Sequence, residues 1–378
     1  MTGNRLQDLH DAGQSVWLDF IDRTLLHDGR LERMIRDDAL AGMTSNPTIF
    51  EKALAEGTAY DGQIAAAAGE RSALDLFELI ETDDVRTACD HFRETYERTR
   101  RRDGYVSIEV SPAHANRADE TIEEAHRLWR TVDRPNVMVK VPGTPAGAAA
   151  VRRLIADGIN VNVTLLFSLD AHARVIEAYL AGLEDRLSTG APIDTCASVA
   201  SFFVSRVDTE VDRRLEALAA ARGGDDAGEP VLALRGKAAV ANARRAYALF
   251  RERFSGARWD ALARRGAMVQ RPLWASTSTK NPAYRDVIYV EQLIGPHTVN
   301  TLPPATIDAF RDHGVVERTI DRDLDAAERH LAALSQLGID LGSVTDKLLA
   351  DGVAAFQKSF DALIAGLERK AAALVPSR

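Results

Sequence analysis

Five residues stand out as able to do chemistry together: Asp19, Glu109, Lys140, Asn162 and Thr164. Each lies near the end of a short, largely apolar run, and side chains alternate between the two faces of an extended strand. In YVSIEV (105–110), Val106, Ile108 and Val110 share one face, while Ser107 and Glu109 share the other. In INVNVTLLF (159–167), Val161, Val163 and Leu165 stand against Asn160, Asn162 and Thr164. In NVMVKV (136–141), Val137, Val139 and Val141 alternate with Met138 and Lys140, and in SVWLDF (15–20) Asp19 stands opposite Leu18 and Phe20. A single polar residue near a strand end is ordinarily one entering a loop. Five of them, including two acids and a lysine, would cost several kcal/mol to bury unless they satisfy one another or a ligand.

The residue types name the reaction class. Burial disfavours the charged form of a lysine, and the neutral amine attacks carbonyls to give a Schiff base. A protonated imine is an electron sink for the carbanion left when a C–C bond breaks. Asp19 and Glu109 could move the protons that such a step needs. Asparagine side chains can hold sugar hydroxyls. This chemistry calls for no metal and no cofactor. The same spacing also permits a structural ion pair between Lys140 and Glu109 or Asp19.

Eight strand-like runs would carry these residues: 15–20, 40–45, 105–110, 137–141, 161–167, 197–204, 272–277 and 297–302. Amphipathic stretches such as ADETIEEAHRLWRTV (118–132) and TPAGAAAVRRLIADG (144–158) lie between them. Eight alternating units predict an α/β fold, a closed (β/α)8 TIM barrel, and Asp19, Glu109, Lys140, Asn162 and Thr164 then fall at the strand C-termini where barrel enzymes place their sites. A doubly wound open sheet is the alternative, but no glycine-rich phosphate loop follows the first run. We expect one barrel domain over residues 1–378, with a helical insertion at about 206–270 and a helical C-terminal extension at about 324–378. Within the insertion, ARGGDDAGEP (221–230) reads as an exposed loop. In the extension, Leu349, Val353, Phe356, Phe360, Leu363 and Leu367 form an apolar stripe that should pack on the barrel or on a second subunit.

Composition narrows the class further. The chain has 378 residues and a formal net charge of −9, which argues against a nucleic-acid partner. Its two cysteines, Cys89 and Cys196, lie in no metal-binding spacing and suit a reducing cytoplasm. The first residues are polar and no apolar run reaches membrane-spanning length, so no membrane partner is expected.

The motifs carrying these residues resemble the transaldolase family: GMTSNPTIF (42–50), VSIEVSP (106–112), VMVKVPGT (137–144), GINVNVTLLFS (158–168) and LWASTSTKNP (273–282). The match runs in order through most of residues 15–304, and the WLDF opening is most similar to the actinobacterial and cyanobacterial branch. The resemblance implies a (β/α)8 barrel that transfers a dihydroxyacetone unit from a ketose phosphate to an aldose phosphate. Sedoheptulose 7-phosphate and glyceraldehyde 3-phosphate would give erythrose 4-phosphate and fructose 6-phosphate in the non-oxidative pentose phosphate pathway.

Carried over by motif, Lys140 matches the Schiff-base lysine and Asp19 the acid/base aspartate. Glu109 matches the glutamate that works through a water, and Thr164 the threonine that helps hold it. Asn46 and Asn162 match residues that bind the hydroxyls of the dihydroxyacetone unit, and Thr44 and Ser201 match pocket-lining residues. Arg206 matches one phosphate-binding arginine. The family commonly has a second arginine where this chain has Ser278, so Lys280 is expected to supply that charge, with Ser276 and Ser278 donating hydrogen bonds. A close relative, fructose 6-phosphate aldolase, generally has glutamine at the Glu109 position and tyrosine at the Phe203 position; this chain's residues favour transfer over free aldol cleavage. A free aldolase and a non-catalytic barrel remain the rival readings, and monomer and homodimer are both left open.

Overall fold

In the computed structural model, residues 4–55, 57–67, 69–222 and 225–374 are described. Eight strands close into a parallel barrel in chain order: β1 (Gln14–Asp19), β2 (Leu40–Thr44), β3 (Tyr105–Glu109), β4 (Val137–Pro142), β5 (Val161–Leu166), β6 (Ser198–Phe203), β7 (Arg271–Ala275) and β8 (Thr298–Leu302). β1 pairs with both β2 and β8, which closes the ring and removes the open-sheet alternative. All eight expected runs are strands, with ends within two residues of the expected ones.

Alternation decides what faces where. The outward side chains of the strands, such as Val106, Ile108, Val139, Val141 and Val163, are fully buried under the helices. Each such burial contributes roughly 1.5–3 kcal/mol. The helix expected at 118–132 runs over Ala118–Val132. The one expected at 144–158 runs over Pro145–Asp157, with the Thr144 hydroxyl capping its first turn.

The inward side chains form layers. Trp17 fills the middle layer and lies against Gly42, where a Cβ would stand 2.6 Å from the indole ring. Only glycine lets β2 pass there. Below it, Arg271 closes the N-terminal end through Asp103 (2.9 Å) and Ser15 (2.9 Å). On β7 Ala275 lines the upper cavity, and its neighbour Trp274 packs edge-on against Phe202, with ring centres 6.3 Å apart, in the layer beneath the helices.

Among the described residues, four helices separate β6 from β7: Ser205–Ala221, Asp225–Leu232, Ala238–Arg253 and Gly256–Ala263. The segment read as an exposed loop, 221–230, is therefore partly helical. Asp225–Pro230 belong to the Asp225–Leu232 helix, where Pro230 sits in the last turns, while residues 223–224 lie outside the described residues. A proline and a glycine in a short helix are poor sequence signals, so local propensity pointed the wrong way.

The C-terminal extension ends in a 34-residue helix, Leu341–Leu374. Its apolar stripe packs on the chain's own helices across the C-terminal end of the barrel. Thr48 donates to Ser359 (2.9 Å), and Lys370 pairs with Asp61 (2.8 Å). Among the described residues no helix is long and apolar enough to cross a membrane.

Candidate active site

A cavity of about 440 Å3 opens at the C-terminal end of the barrel. Lys140 projects into it from β4. Its register partners are Glu109 on β3 and Asn162 on β5, so three polar residues meet in one layer. Lys140 is only 6% exposed; its Nζ donates to the Ser45 carbonyl (2.8 Å) and stands 3.3 Å from Glu109 Oε2. A buried ammonium needs such partners, because leaving it alone would cost several kcal/mol. Apart from Lys140, neither carboxylate oxygen of Glu109 has a hydrogen-bond donor among the described residues. Burial pushes the Glu109 carboxyl above its ordinary range, against the pull of the Lys140 charge. This is the environment of a carboxyl that can exchange a proton.

Asp19 ends β1 on the cavity wall. Thr44 donates to its Oδ1 (2.9 Å), and Thr44 Oγ1 lies 2.8 Å from Thr301 Oγ1. Burial raises the Asp19 carboxyl; the charges of Lys140, Lys280 and Arg206 and the Thr44 bond work against that rise. Thr164 also lines the cavity. Next to it Leu165 adopts a left-handed φ of +58°, and the pairing register between β5 and β6 shifts there. A non-glycine residue in that region is strained, and such strain concentrates at functional sites.

Asn46, Ser201 and Phe203 line the same cavity. Asn46 Oδ1 accepts from the Ile49 N–H (3.1 Å), which starts the Pro47–Ala55 helix and fixes the amide at the cavity edge. Glu109 and Asn162 stand one step behind the wall. Glu109 reaches it through Lys140. Asn162 is fully buried, donates to Ser107 (3.0 Å) and accepts from Ser201 (2.6 Å).

The cavity's outer end is cationic. Arg206 lies over the Phe203 ring at 5.1 Å and has no carboxylate partner among the described residues. Lys280 donates to Ser278 Oγ (2.8 Å), and both line the cavity with Ser276. Ser276 has a φ of +55°, and its hydroxyl meets that of Ser205 at 2.9 Å. Sequence reasoning missed Lys52, Thr301 and Phe356 on this wall. Phe356 was visible only as one member of the apolar stripe. The stripe's helix runs close to β5 at Gly352, where a Cβ would stand 3.0 Å from Leu165 Cδ2. Lys52, one turn beyond the TSNP motif, carried no sequence signal. Among the described residues, no group of His, Cys, Asp and Glu could hold a metal ion.

A barrel with a buried lysine and two carboxyls at its C-terminal mouth defines an enzyme site for carbonyl chemistry. The family model described as transaldolase/fructose-6-phosphate aldolase matches residues 16–367. The chain is 48% identical over 373 residues to a transaldolase of Thermobifida fusca, covering 98% of this chain and 99% of the relative. It is 45% identical over 383 residues to transaldolase 2 of a Nostoc species, covering all of both chains. A transaldolase of Mycobacterium ulcerans is 47% identical over 362 residues, covering 95% of each. The chain therefore belongs to the transaldolase/fructose-6-phosphate aldolase family and is an enzyme of the transferase class.

Proposed function

We propose that this enzyme moves a dihydroxyacetone unit between sugar phosphates through an imine on Lys140, in the non-oxidative pentose phosphate pathway. The observation that carries the reading is the buried Lys140–Glu109 pair facing a cavity that also holds Asp19. Lys140 Nζ attacks the C2 carbonyl of a ketose phosphate such as sedoheptulose 7-phosphate. The carbinolamine loses its hydroxyl as water, and a water held by Glu109 and Thr164 shuttles the proton. The Glu109 carboxylate, which has no hydrogen-bond donor near it but Lys140 among the described residues, supports that role. Asp19 then takes the C4 hydroxyl proton as the C3–C4 bond breaks, and its electron pair passes into the iminium as an enamine. The aldose phosphate, erythrose 4-phosphate, leaves. Glyceraldehyde 3-phosphate enters, the enamine carbon attacks its aldehyde, and Asp19 returns the proton to the new alkoxide. Hydrolysis of the imine gives fructose 6-phosphate.

Asn46, Thr44 and Ser201 hold the hydroxyls of the bound three-carbon unit, with Asn162 orienting Ser201. Arg206, Ser276, Ser278 and Lys280 receive the phosphate. Lys280 supplies a point charge rather than the bidentate fork of an arginine. Phe203 offers no hydroxyl to protonate the enamine, which favours waiting for an acceptor over releasing dihydroxyacetone. A cytoplasmic setting is supported by Cys89 and Cys196, both buried free thiols.

The test is intact-protein mass spectrometry after borohydride reduction with fructose 6-phosphate. A reduced dihydroxyacetone adduct on the wild type, absent from Lys140→Met, is expected. No adduct on folded, active protein would remove the imine mechanism. Dependence of turnover on an aldose phosphate acceptor separates transferase from free aldolase.

A further inference from the structure

A second cavity, of about 300 Å3, lies at the opposite, N-terminal end of the barrel. Its walls are apolar and partly aromatic: Tyr105, Met138, Val199, Trp259, Met268 and Val269. The rings are held in place. Tyr105 donates to the Arg101 carbonyl (2.6 Å) and packs edge-on against Tyr96 at 5.4 Å. Trp259 is only partly covered and is fixed edge-on by Phe254 at 4.9 Å.

The rim of this cavity is basic. Arg100, Arg101 and Arg102 follow one another in the turn before β3, and Arg271 stands at its base. Arg271 is spent on Asp103 and Ser15, and Arg101 meets Asp194 at 3.3 Å. Arg100 and Arg102 have no carboxylate partner among the described residues. Among the described residues, three of the eight non-glycine positions with positive φ lie on this rim: Arg100 (+54°), Arg101 (+68°) and His297 (+60°). Two successive left-handed residues in one turn are costly, and they are what fans three arginines around one opening. A turn serving only to connect a helix to β3 would need no such run of charge.

We propose that this N-terminal mouth binds a small organic anion with a flat apolar body, such as a ring bearing a phosphate. The ring would lie against Trp259 and the side chains lining the floor, and the anion would be met by the free guanidinium groups of Arg100 and Arg102. The cavity's size is at the lower end for ligand sites, which limits the occupant to about the size of a nucleoside monophosphate. The site is separate from the sugar cavity. Tyr105 and Glu109 share the inward face of β3 four residues apart, about 13 Å along the strand.

The test is a tryptophan fluorescence titration of the whole chain with adenosine 5′-monophosphate and, separately, 1-naphthyl phosphate. At least one should give a saturable change that disappears in Trp259→Phe. Arg100→Glu/Arg102→Glu should weaken it about tenfold or more, as should raised salt, while transferase activity stays at the wild-type level. Adenosine and inorganic phosphate, each carrying half of the recognition, should bind about tenfold more weakly. Arg206→Ala should leave the titration unchanged. The proposal fails if neither probe binds saturably, if the charge-reversed variant binds as well as the wild type, or if Arg206→Ala abolishes the signal, which would place the ligand in the sugar cavity.

Discussion

The two ends of the sugar cavity are built differently. The carbonyl end is made of strand residues: Asp19, Lys140 and Ser201, backed by Glu109 and Asn162. Each is fixed by barrel register and tied to a neighbour by a bond of 2.6–3.3 Å. The anion end is made of residues that begin a helix or ride a loop: Arg206, Ser276, Ser278 and Lys280. Lys280 is exposed, and its one hydrogen bond goes to a serine two residues away. The loop's start is pinned by Thr277, which donates to Asn300 (3.0 Å), and its far side by Tyr284, which donates to Asp212 (2.6 Å), and Tyr289, which donates to Asp208 (2.8 Å); Lys280 lies between these anchors. Bond-making atoms need fixed geometry, whereas a phosphate needs charge nearby and tolerates movement. Substitutions should therefore reduce turnover at the first end and raise KM at the second.

Lys140→Met is the severest test. Turnover and the reduced adduct should both vanish, while Glu109, already raised by burial, takes up a proton and spares the fold an unpaired charge. Far-ultraviolet circular dichroism checks that the fold survives. Residual turnover with an unchanged KM would mean that the carbonyl end does not depend on its lysine.

Asp19→Asn comes next, with kcat expected to fall roughly 10²–10⁴-fold and KM to change little. Asp19 must be ionised to take the C4 proton. Its carboxyl is raised above 3.8 by burial, so wild-type kcat should decline on acidification at a pH above the ordinary aspartate range. That acid limb should be missing from the residual activity of Asp19→Asn. If the limb stays where it is in the variant, another group sets it.

This contrast also explains what the sequence disclosed. The strands were legible because alternation is a strict period-two signal, and polar residues on an inward face break it visibly. Asp19, Glu109, Lys140 and Thr164 were found that way. The layering behind them was not, because whether Asn162 meets substrate or orients Ser201 depends on a side-chain contact between β5 and β6 that leaves no mark in residue types. The anion end was legible only through family resemblance. Lys52 and Phe356 reach the cavity from helices whose packing angle no local pattern encodes.

At the anion end, Arg206→Ala should raise KM for a phosphorylated ketose about 10–100-fold, the value of a charged hydrogen bond of about 1.5–3 kcal/mol. Lys280→Ala should raise it less, about tenfold or below, because an exposed lysine is screened and flexible. Ser278→Arg should offset the Lys280→Ala loss by restoring a guanidinium near the phosphate. Steady-state kinetics on fructose 6-phosphate reads all three. An unchanged KM in Lys280→Ala would leave Arg206 and the serines as the whole anion end.

The smallest effect concerns one anchor of that loop. Asp208 is 1% exposed, accepts from the Ala239 N–H (2.7 Å) and from Tyr289, and burial pushes its carboxyl up to about 6 from 3.8. Its folded value lies above its unfolded one, so it adds stability below about pH 4 and that stability is lost as the pH rises to about 6. At neutral pH the buried charge costs on the order of 3 kcal/mol. Asp208→Asn keeps the shape and one accepting oxygen and never ionises. Tyr289 can turn its hydroxyl to accept from the new amide. The stability lost between pH 4 and pH 7 should therefore be smaller in the variant than in the wild type, as read by urea unfolding at both values. If both proteins lose the same amount, the anchor is not where the anion end feels pH.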